Sequence, residues 1–181
     1  MNRAPHSSRS AFTLVEILVV ISIILLLMGL LVPVIAGVIK RGREKAAEAS
    51  VDLLTTALHQ YEMEFNDFPP DNFPTSDTSE ALFYHLCRTF QKGERTIGPF
   101  LGNSSIYMKD KDGNGYCELY SPLYGKYSYC ALKNGAGLPW GFFLADPGAD
   151  QRLGGSLDPM TGFTPDGSGD HKDNFSRKGR P

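Results

Sequence analysis

A long, uninterrupted apolar stretch lies near the amino terminus of the chain. Residues 17–39 are 23 consecutive uncharged positions, ILVVISIILLLMGLLVPVIAGVI. As an α-helix with a rise of about 1.5 Å per residue, this stretch is about 35 Å long, and the hydrocarbon core of a bilayer is about 30 Å thick. The pattern therefore predicts a helix that is apolar on every side and long enough to cross a membrane.

The length and the flanking residues of this stretch allow it to be compared with two common kinds of apolar segment, the secretory signal peptide and the plain membrane anchor. Arg3 and Arg9 precede it, and a basic group follows within residues 40–43. A secretory signal peptide has an apolar core of about 7–15 residues closed by a small-residue A-x-A pattern, and this stretch is longer and lacks that pattern. A plain membrane anchor fits the length, but it leaves the carboxylate of Glu16 at the edge of the apolar run unexplained, because such groups are costly in lipid.

Beyond the basic group the pattern becomes amphipathic. Apolar residues recur at alternating steps of four and three, the spacing of one helical face: Ala47, Val51, Leu54, Leu58, Tyr61 and Phe65. Pro69 and Pro70 end this pattern. One helix is therefore predicted from about Phe12 to about Asn66, and its second half needs a sheet to cover the apolar face.

The rest of the chain alternates short structured runs with turns. A short helix is predicted within 67–105, with Thr78 or Ser79 as its cap and helical spacing of Leu82, Phe83, Leu86 and Phe90. Four runs rich in aromatic and β-branched residues, each bounded by Gly, Asn or Pro, predict antiparallel strands at 105–108, 116–120, 126–132 and 140–145. A strand meander packed on one long helix predicts an α+β roll.

Composition and charge narrow the classes of function. The 181 residues carry 18 Lys and Arg against 20 Asp and Glu, a net charge of −2, which argues against a protein that coats nucleic acid. Of the 19 glycines, 16 fall between Gly93 and Gly179, so an apolar helix precedes a small, loop-rich head. No Ser or Cys nucleophile motif and no metal-binding spacing of the four histidines is present, and we do not expect an enzyme.

Two further features of the head carry candidate chemistry. The loop DKDGNGYCE at 110–118 resembles part of an EF-hand, but its twelfth position is Ser121 rather than a bidentate glutamate, and its position between two predicted strands favours a hairpin turn. The three cysteines are Cys87, Cys117 and Cys130. If the head lies outside the cytoplasm, an odd number allows at most one disulfide, and Cys117 with Cys130, on neighbouring predicted strands, is the favoured pair.

The amino-terminal segment SRSAFTLVEILVV resembles the class III signal sequences of type IV pilins and type II secretion pseudopilins. The resemblance covers Ser8 to about Lys40, and it implies that a prepilin peptidase cuts between Ala11 and Phe12 and that the new Phe12 amine is N-methylated. The family usually has glycine where this chain has Ala11. The apolar helix is kept after this cleavage, in contrast to the core of an ordinary signal peptide.

This resemblance gives Glu16 and Pro33 roles in assembly. In a bundle of such helices in lipid, an unpaired Glu16 carboxylate is disfavoured, and pairing with the Phe12 amine of a neighbouring subunit neutralises both charges and sets the register. Pro33 removes one helical hydrogen bond and loosens the helix locally. In the family this region is where the helix melts on entering a filament, although a plain packing kink is a competing interpretation.

The head is similar to that of the major pseudopilin type. The segments ELYSPLYGKYSY, FFLADPGADQRLGG and GDHKDNFSR stand where that family has its tyrosine-rich strand, its glycine-rich loop and its terminal acidic segment. The similarity implies a calcium site whose matching ligands are Asp150 and Asp173, with Asp170 as a third. A solvated acidic loop without a metal is the alternative.

Together these features predict a leader at 1–11, a transmembrane and polymerising helix at 12–39, an amphipathic helix at 40–66, a connecting region at 67–105 and a β head at 106–181. The resemblance implies a subunit of a periplasmic pseudopilus for type II secretion, anchored in the inner membrane. Its implied partners are further copies of itself, minor pseudopilins, the prepilin peptidase, the inner-membrane platform and an assembly ATPase. A type IV pilin of a surface fibre, and a monomeric, membrane-tethered binding module, remain the alternatives.

Overall fold

The computed structural model describes residues 13–72, 74–102, 106–123, 125–136, 139–148, 151–153, 155–165 and 175–179. The chain divides into two compact units, Met1–Arg41 and Gly42–Pro181. Helix α1 runs from Leu14 to Phe65 and is helical at position 33 as well. This confirms the long helix expected from the apolar run and the amphipathic pattern that follows it.

The end of α1 is set by the backbone of Asn66. Its φ of 57° is left-handed, and its N–H donates to the Glu62 carbonyl over 2.7 Å. Asparagine tolerates this conformation and commonly terminates helices in this way. Helix α1 therefore ends at Phe65, one residue before the expected end and ahead of the two prolines.

A second helix, α2, spans Thr78–Cys87. Its N-cap is Asp77, whose carboxylate accepts from the Ser79 N–H over 2.9 Å. The expected cap at Thr78 or Ser79 was therefore wrong by one or two positions, because Asp77 supplies the acceptor that the first helical turn needs. Phe90, expected on a face of this helix, instead begins the first strand.

Nine short strands form four antiparallel sheets within the described residues. In two hairpins, β1 (Phe90–Lys92) pairs with β2 (Arg95–Ile97), and β3 (Tyr107–Lys109) pairs with β4 (Glu118–Tyr120). In the largest sheet, β6 (Pro139–Asp146) lies between β5 (Ser128–Lys133) and β9 (Phe175–Gly179). A last hairpin joins β7 (Gly155–Asp158) to β8 (Gly162–Pro165). The predicted α+β class and the four predicted strands, now β3 to β6, are confirmed.

The hydrophobic core of the second unit forms between one face of α1, α2 and the strands. The predicted amphipathic stripe supplies the helical side, with Val51, Leu54 and Leu58 fully buried. Strands β4, β5 and β6 supply the other side through buried residues: Leu119, Tyr129, Ala131, Phe142 and Leu144. The apolar stripe of α1 is therefore covered by these strands, as its amphipathic pattern predicted.

Candidate functional site

The amino-terminal end of α1 is closed by a reciprocal pair of residues, Thr13 and Glu16. Thr13 precedes the first helical residue, and Glu16 lies three positions later. The Glu16 carboxylate accepts from both the N–H and the hydroxyl of Thr13, each over 2.9 Å, while the Glu16 N–H donates to the Thr13 hydroxyl over 3.3 Å. This is a capping box, the T-x-x-E arrangement in which two otherwise unpaired helix donors are satisfied. It fixes the Glu16 carboxylate beside residue 13.

The apolar part of α1 presents its side chains outward on every side. The large apolar residues from Leu14 to Ile39 are between 45% (Ile24) and 80% (Leu14) exposed. Helix α1 is the one helix in the described part of the chain that is long and apolar enough to cross a membrane. Because exposed apolar surface of this extent is not compatible with water, lipid or other apolar helices must cover it.

The predicted processing residues Ala11 and Phe12 lie outside the described residues. Glu16 is the third residue of α1. Pro33 lies within α1, where the backbone is helical. The structure therefore places Glu16 close behind the predicted cleavage point, with its carboxylate directed back toward residue 13.

A cluster of three carboxylates lies in the second compact unit, and no motif in the sequence indicates it. Asp77, Glu80 and Glu118 place carboxylate oxygens within 4.8 Å of one another. Glu80 and Glu118 are only 2% and 7% exposed. Two of these residues come from the start of α2 and the third from β4, so tertiary packing alone brings them together. The acidic N-cap before α2 was the one local signal available.

Neighbouring donors offset the charge of this cluster. Glu80 accepts from the Thr75 hydroxyl and from the Asn114 amide, the latter over 3.0 Å. Lys126 forms an ion pair with Asp77. Burial acts to lower the pKa of the Lys126 ammonium, but its hydrogen bond to Asp77 and the charge of Asp77 outweigh burial and leave that pKa raised. The cluster is thus a satisfied polar network that links α2, the 110–117 loop and β4.

The predicted calcium ligands Asp150, Asp170 and Asp173 all lie outside the described residues. The other acidic loop, residues 110–117, joins β3 to β4, whose register pairs Lys109 with Glu118. Its first carboxylate, Asp110, accepts from the backbone N–H groups of Gly115 and Gly113, and these bonds, that of Gly115 above all, lower the pKa of Asp110. The hairpin predicted at this position is confirmed.

All three cysteines have free thiols in this structure, and the Cys117–Cys130 bridge stays a prediction that the positions of these two residues disfavour. Cys117 precedes β4, which pairs with β3, whereas Cys130 lies on β5, which pairs with β6. These strands are consecutive along the chain but belong to different sheets. Cys130 also alternates with Tyr129 and Ala131, which face the core, so its side chain lies on the opposite face of β5.

Comparison with known proteins identifies the amino-terminal motif. Residues 6–32 match a family model described as the prokaryotic N-terminal methylation motif. No curated protein and no solved structure gives a significant match to this chain. The motif indicates a type IV pilin-like protein, a class of filament subunits that comprises pilins and pseudopilins. It implies processing by a prepilin peptidase and assembly of the pilus type, and the apolar part of α1 fits the single membrane anchor of such a protein.

Proposed function

We propose that this chain is a pseudopilin, a subunit that polymerises through the apolar part of α1 into a periplasmic pseudopilus that drives type II protein secretion. The observation that carries the proposal is the contrast within α1. Its apolar residues up to Ile39 are exposed, whereas the stripe beginning at Ala47 is buried against the head's own sheets. The exposed apolar surface of the first part can therefore contact lipid before assembly and neighbouring copies after assembly.

Glu16 sets the register between copies in this proposal. Cleavage between Ala11 and Phe12 leaves an amine at Phe12, which is positively charged when protonated. In the low dielectric of a helix bundle, a lone carboxylate or ammonium is strongly disfavoured, and pairing across two subunits removes both costs. In the described structure Thr13 supplies the donors to Glu16, so the carboxylate already lies at the end of the helix where the neighbour's amine would meet it.

The work of secretion is done by partners rather than by the subunit. The assembly ATPase and the inner-membrane platform supply force, the prepilin peptidase matures the chain, and minor pseudopilins join the filament. The head then lies in the periplasm, with Arg3 and Arg9 on the cytoplasmic side of the anchor. Similarity of three head segments to the major pseudopilin type favours secretion over a surface fibre.

Processing is tested by the intact mass and amino-terminal residue of the chain extracted from membranes with the peptidase present. A chain that begins at N-methylated Phe12 is expected. Ala11→Gly, which restores the usual family residue, is expected to be cut at least as well, and Ala11→Leu is expected to remain uncut. A wild-type chain that still begins at Met1 would favour the tethered binding module.

Assembly is tested by Glu16→Gln, because glutamine keeps the acceptor for Thr13 but removes the charge. We expect filaments and cargo secretion to be lost, while the processed chain still accumulates in the membrane. Glu64→Gln is the matched control, since Glu64 is an exposed glutamate on the same helix. Normal filaments in Glu16→Gln would overturn the pairing argument. Surface fibres with unchanged secretion would favour the type IV pilin.

Calcium forms a separate part of the proposal. Asp150, Asp170 and Asp173 offer carboxylate oxygens, the ligands that calcium prefers, and similarity to the major pseudopilin type selects them. We expect calcium, and not magnesium, to raise the Tm of the full chain in detergent. Asp173→Asn is expected to abolish that shift, and Asp112→Asn, in the hairpin loop, is expected to preserve it. An unchanged Tm in calcium would reject the site.

A further inference from the structure

Two of the three cysteines lie where α2 meets β4. Cys87 is the last residue of α2, and Cys117 directly precedes the first residue of β4. Both thiols are partly exposed, whereas that of Cys130 is buried. The two elements pack against each other although about a sixth of the chain separates these cysteines.

One face of α2 contacts the residue beside Cys117. Tyr84, Cys87 and Arg88 are spaced i, i+3 and i+4, which places them on the same side of the helix end. The Tyr84 ring lies 6.0 Å from the Tyr116 ring, and the Arg88 guanidinium lies 4.9 Å from the former and 5.6 Å from the latter. Cys87 therefore lies next to two residues, Tyr84 and Arg88, that both contact Tyr116, the immediate neighbour of Cys117.

A second contact fixes the alignment of α2 with β4. The Ser79 hydroxyl donates to the Leu119 carbonyl over 3.1 Å and accepts from the Leu119 N–H over 2.7 Å. From Ser79 to Cys87 the helix advances about 12 Å, and from Leu119 back to Tyr116 an extended chain covers about 10 Å. The contacts of Ser79 with Leu119 and of Tyr84 with Tyr116 show that helix and strand run antiparallel, so the end of α2 lies close to Tyr116, the residue before Cys117.

The electrostatics of the thiols agree with this placement. Burial, followed by the charge of a deprotonated Cys117, raises the pKa of the Cys87 thiol to about 12. For Cys130, burial and then the charge of Asp71 raise the pKa to about 12. The charge of Cys117 thus acts on the Cys87 thiol, whereas the charges that act on the Cys130 thiol are those of Asp71, Asp158 and Lys133.

We propose that Cys87 and Cys117 form a disulfide that joins the end of α2 to the start of β4 in the extracytoplasmic head. The cellular part of this proposal rests on the proposed function, which places the head in an oxidising compartment. The bridge would enclose residues 88–116, which include β1, β2 and β3, and restrict that segment in the unfolded chain. Cys130 would remain as the single thiol.

The oxidation requires a disulfide-bearing oxidant, either a thiol–disulfide oxidoreductase or oxidised glutathione. The Cys117 thiolate, the more exposed of the two, attacks one sulfur of the oxidant, and the other sulfur leaves as a thiolate that takes up a proton. The Cys87 thiolate then attacks the Cys117 sulfur of the mixed disulfide and displaces the second thiol. Two protein thiols are oxidised, and one oxidant disulfide is reduced to two thiols.

The test uses the full chain in detergent, incubated with oxidised glutathione at mildly alkaline pH and then labelled with a maleimide after denaturation. Wild type is expected to keep one reactive thiol and Cys130→Ser none, with a linked peptide that contains Cys87 and Cys117. The Tm of oxidised Cys130→Ser is expected to fall on reduction. Three labelled thiols in wild type, or a linked peptide that contains Cys130, would overturn the pairing.

A parallel measurement separates this proposal from the proposed function. Thiols are trapped in intact cells, and the chain is then extracted and mapped. One labelled thiol, on Cys130, is expected. If the purified chain forms the bridge but the chain from cells carries three labelled thiols, the pairing stands and the placement of the head in an oxidising compartment is overturned.

Discussion

The Glu16 carboxylate accepts two hydrogen bonds from Thr13, one from its N–H and one from its hydroxyl, each over 2.9 Å. The same glutamate has two roles in this protein: it caps its own helix, and in the proposed filament it pairs with the amine of a neighbour. These roles make different demands, because capping needs an acceptor and pairing needs a negative charge. Substitutions at residues 13 and 16 therefore separate them.

Replacement of the Thr13 hydroxyl tests the capping role. Thr13→Val removes the side-chain donor and the acceptor for the Glu16 N–H, and loss of such a cap costs about 1 kcal/mol. A loss of about 1 kcal/mol corresponds to roughly a fivefold change in an equilibrium constant. We therefore expect the backbone amides of the first turn of α1 to exchange with deuterium roughly fivefold faster in micelles. Thr13→Ser keeps the hydroxyl and serves as the control. Equal exchange in the two variants would show that the hydroxyl does not hold the helix end.

Truncation of Leu54 tests the packing of α1 on the head. Leu54 is fully buried, so Leu54→Ala loses apolar contacts and leaves a cavity, at a cost of about 2–5 kcal/mol in the free energy of unfolding. The preceding residue gives a matched control, because Leu53 is 38% exposed and Leu53→Ala is expected to cost well under half as much. Denaturant unfolding of the full chain in detergent, followed by the fluorescence of Trp140, measures both. Similar losses in the two variants would contradict the assignment of the buried face.

The Ser79 hydroxyl joins α2 to β4 by hydrogen bonds, and the exposed hydroxyl of Thr56 provides a control. Ser79→Ala leaves the buried Leu119 N–H without its acceptor, whereas the Leu119 carbonyl still accepts from the Tyr127 N–H. An unsatisfied buried donor costs about 1–3 kcal/mol. Thr56→Ala removes an exposed hydroxyl that bonds only within its own helix, and a change within about 0.5 kcal/mol is expected. If Ser79→Ala unfolds at the same denaturant concentration as Thr56→Ala, this hydroxyl does not hold the two elements together.

Tyr61 makes stability depend on alkaline pH. Burial, followed by the charge of Asp67, raises the pKa of Tyr61 to about 12, from an ordinary value of about 10. Because folding favours the neutral phenol, this contribution to stability is complete below a pH of about 10 and is lost as the pH rises through the folded pKa.

The measurement is the free energy of unfolding as a function of pH, with phenolate absorbance recorded in parallel. Tyr61→Phe is expected to reduce the alkaline loss of stability, because it removes one group that must ionise. Tyr107→Phe is the control, since Tyr107 is 62% exposed, and it is expected to leave the alkaline loss unchanged. Identical pH profiles for Tyr61→Phe and wild type would contradict the role of Tyr61.

The features that could be predicted from the sequence are those that produce a local pattern of residues along the chain. Helix α1 repeats its apolar residues over many turns, and β5 and β6 are dense in aromatic and β-branched residues, so each is recognisable alone. The hairpin of β1 and β2 is only three residues on each side and carries charged and polar residues, with Gly93 in the left-handed conformation (φ 64°) at its turn. Strands that short have too few positions for an alternating pattern to appear.

The candidate sites in the head depend on which elements meet, and chain order does not give that information. Cys117 and Cys130 lie near consecutive strands, yet those strands belong to different sheets. Asp77 and Glu118 meet because α2 packs on β4. The capping box of Thr13 and Glu16 was different, because its T-x-x-E spacing is local and stands in the sequence itself.

Strand β6 depends on β9 to cover one of its two edges. It pairs with β5 on one side and with β9 on the other, so β9 shields a row of backbone donors and acceptors along an eight-residue strand. Proteolytic trimming that removed Phe175–Gly179 would leave that row open, and an uncovered strand edge is a template for pairing with another chain. A clipped subunit would then aggregate edge to edge through its head, and that growth would not depend on Glu16.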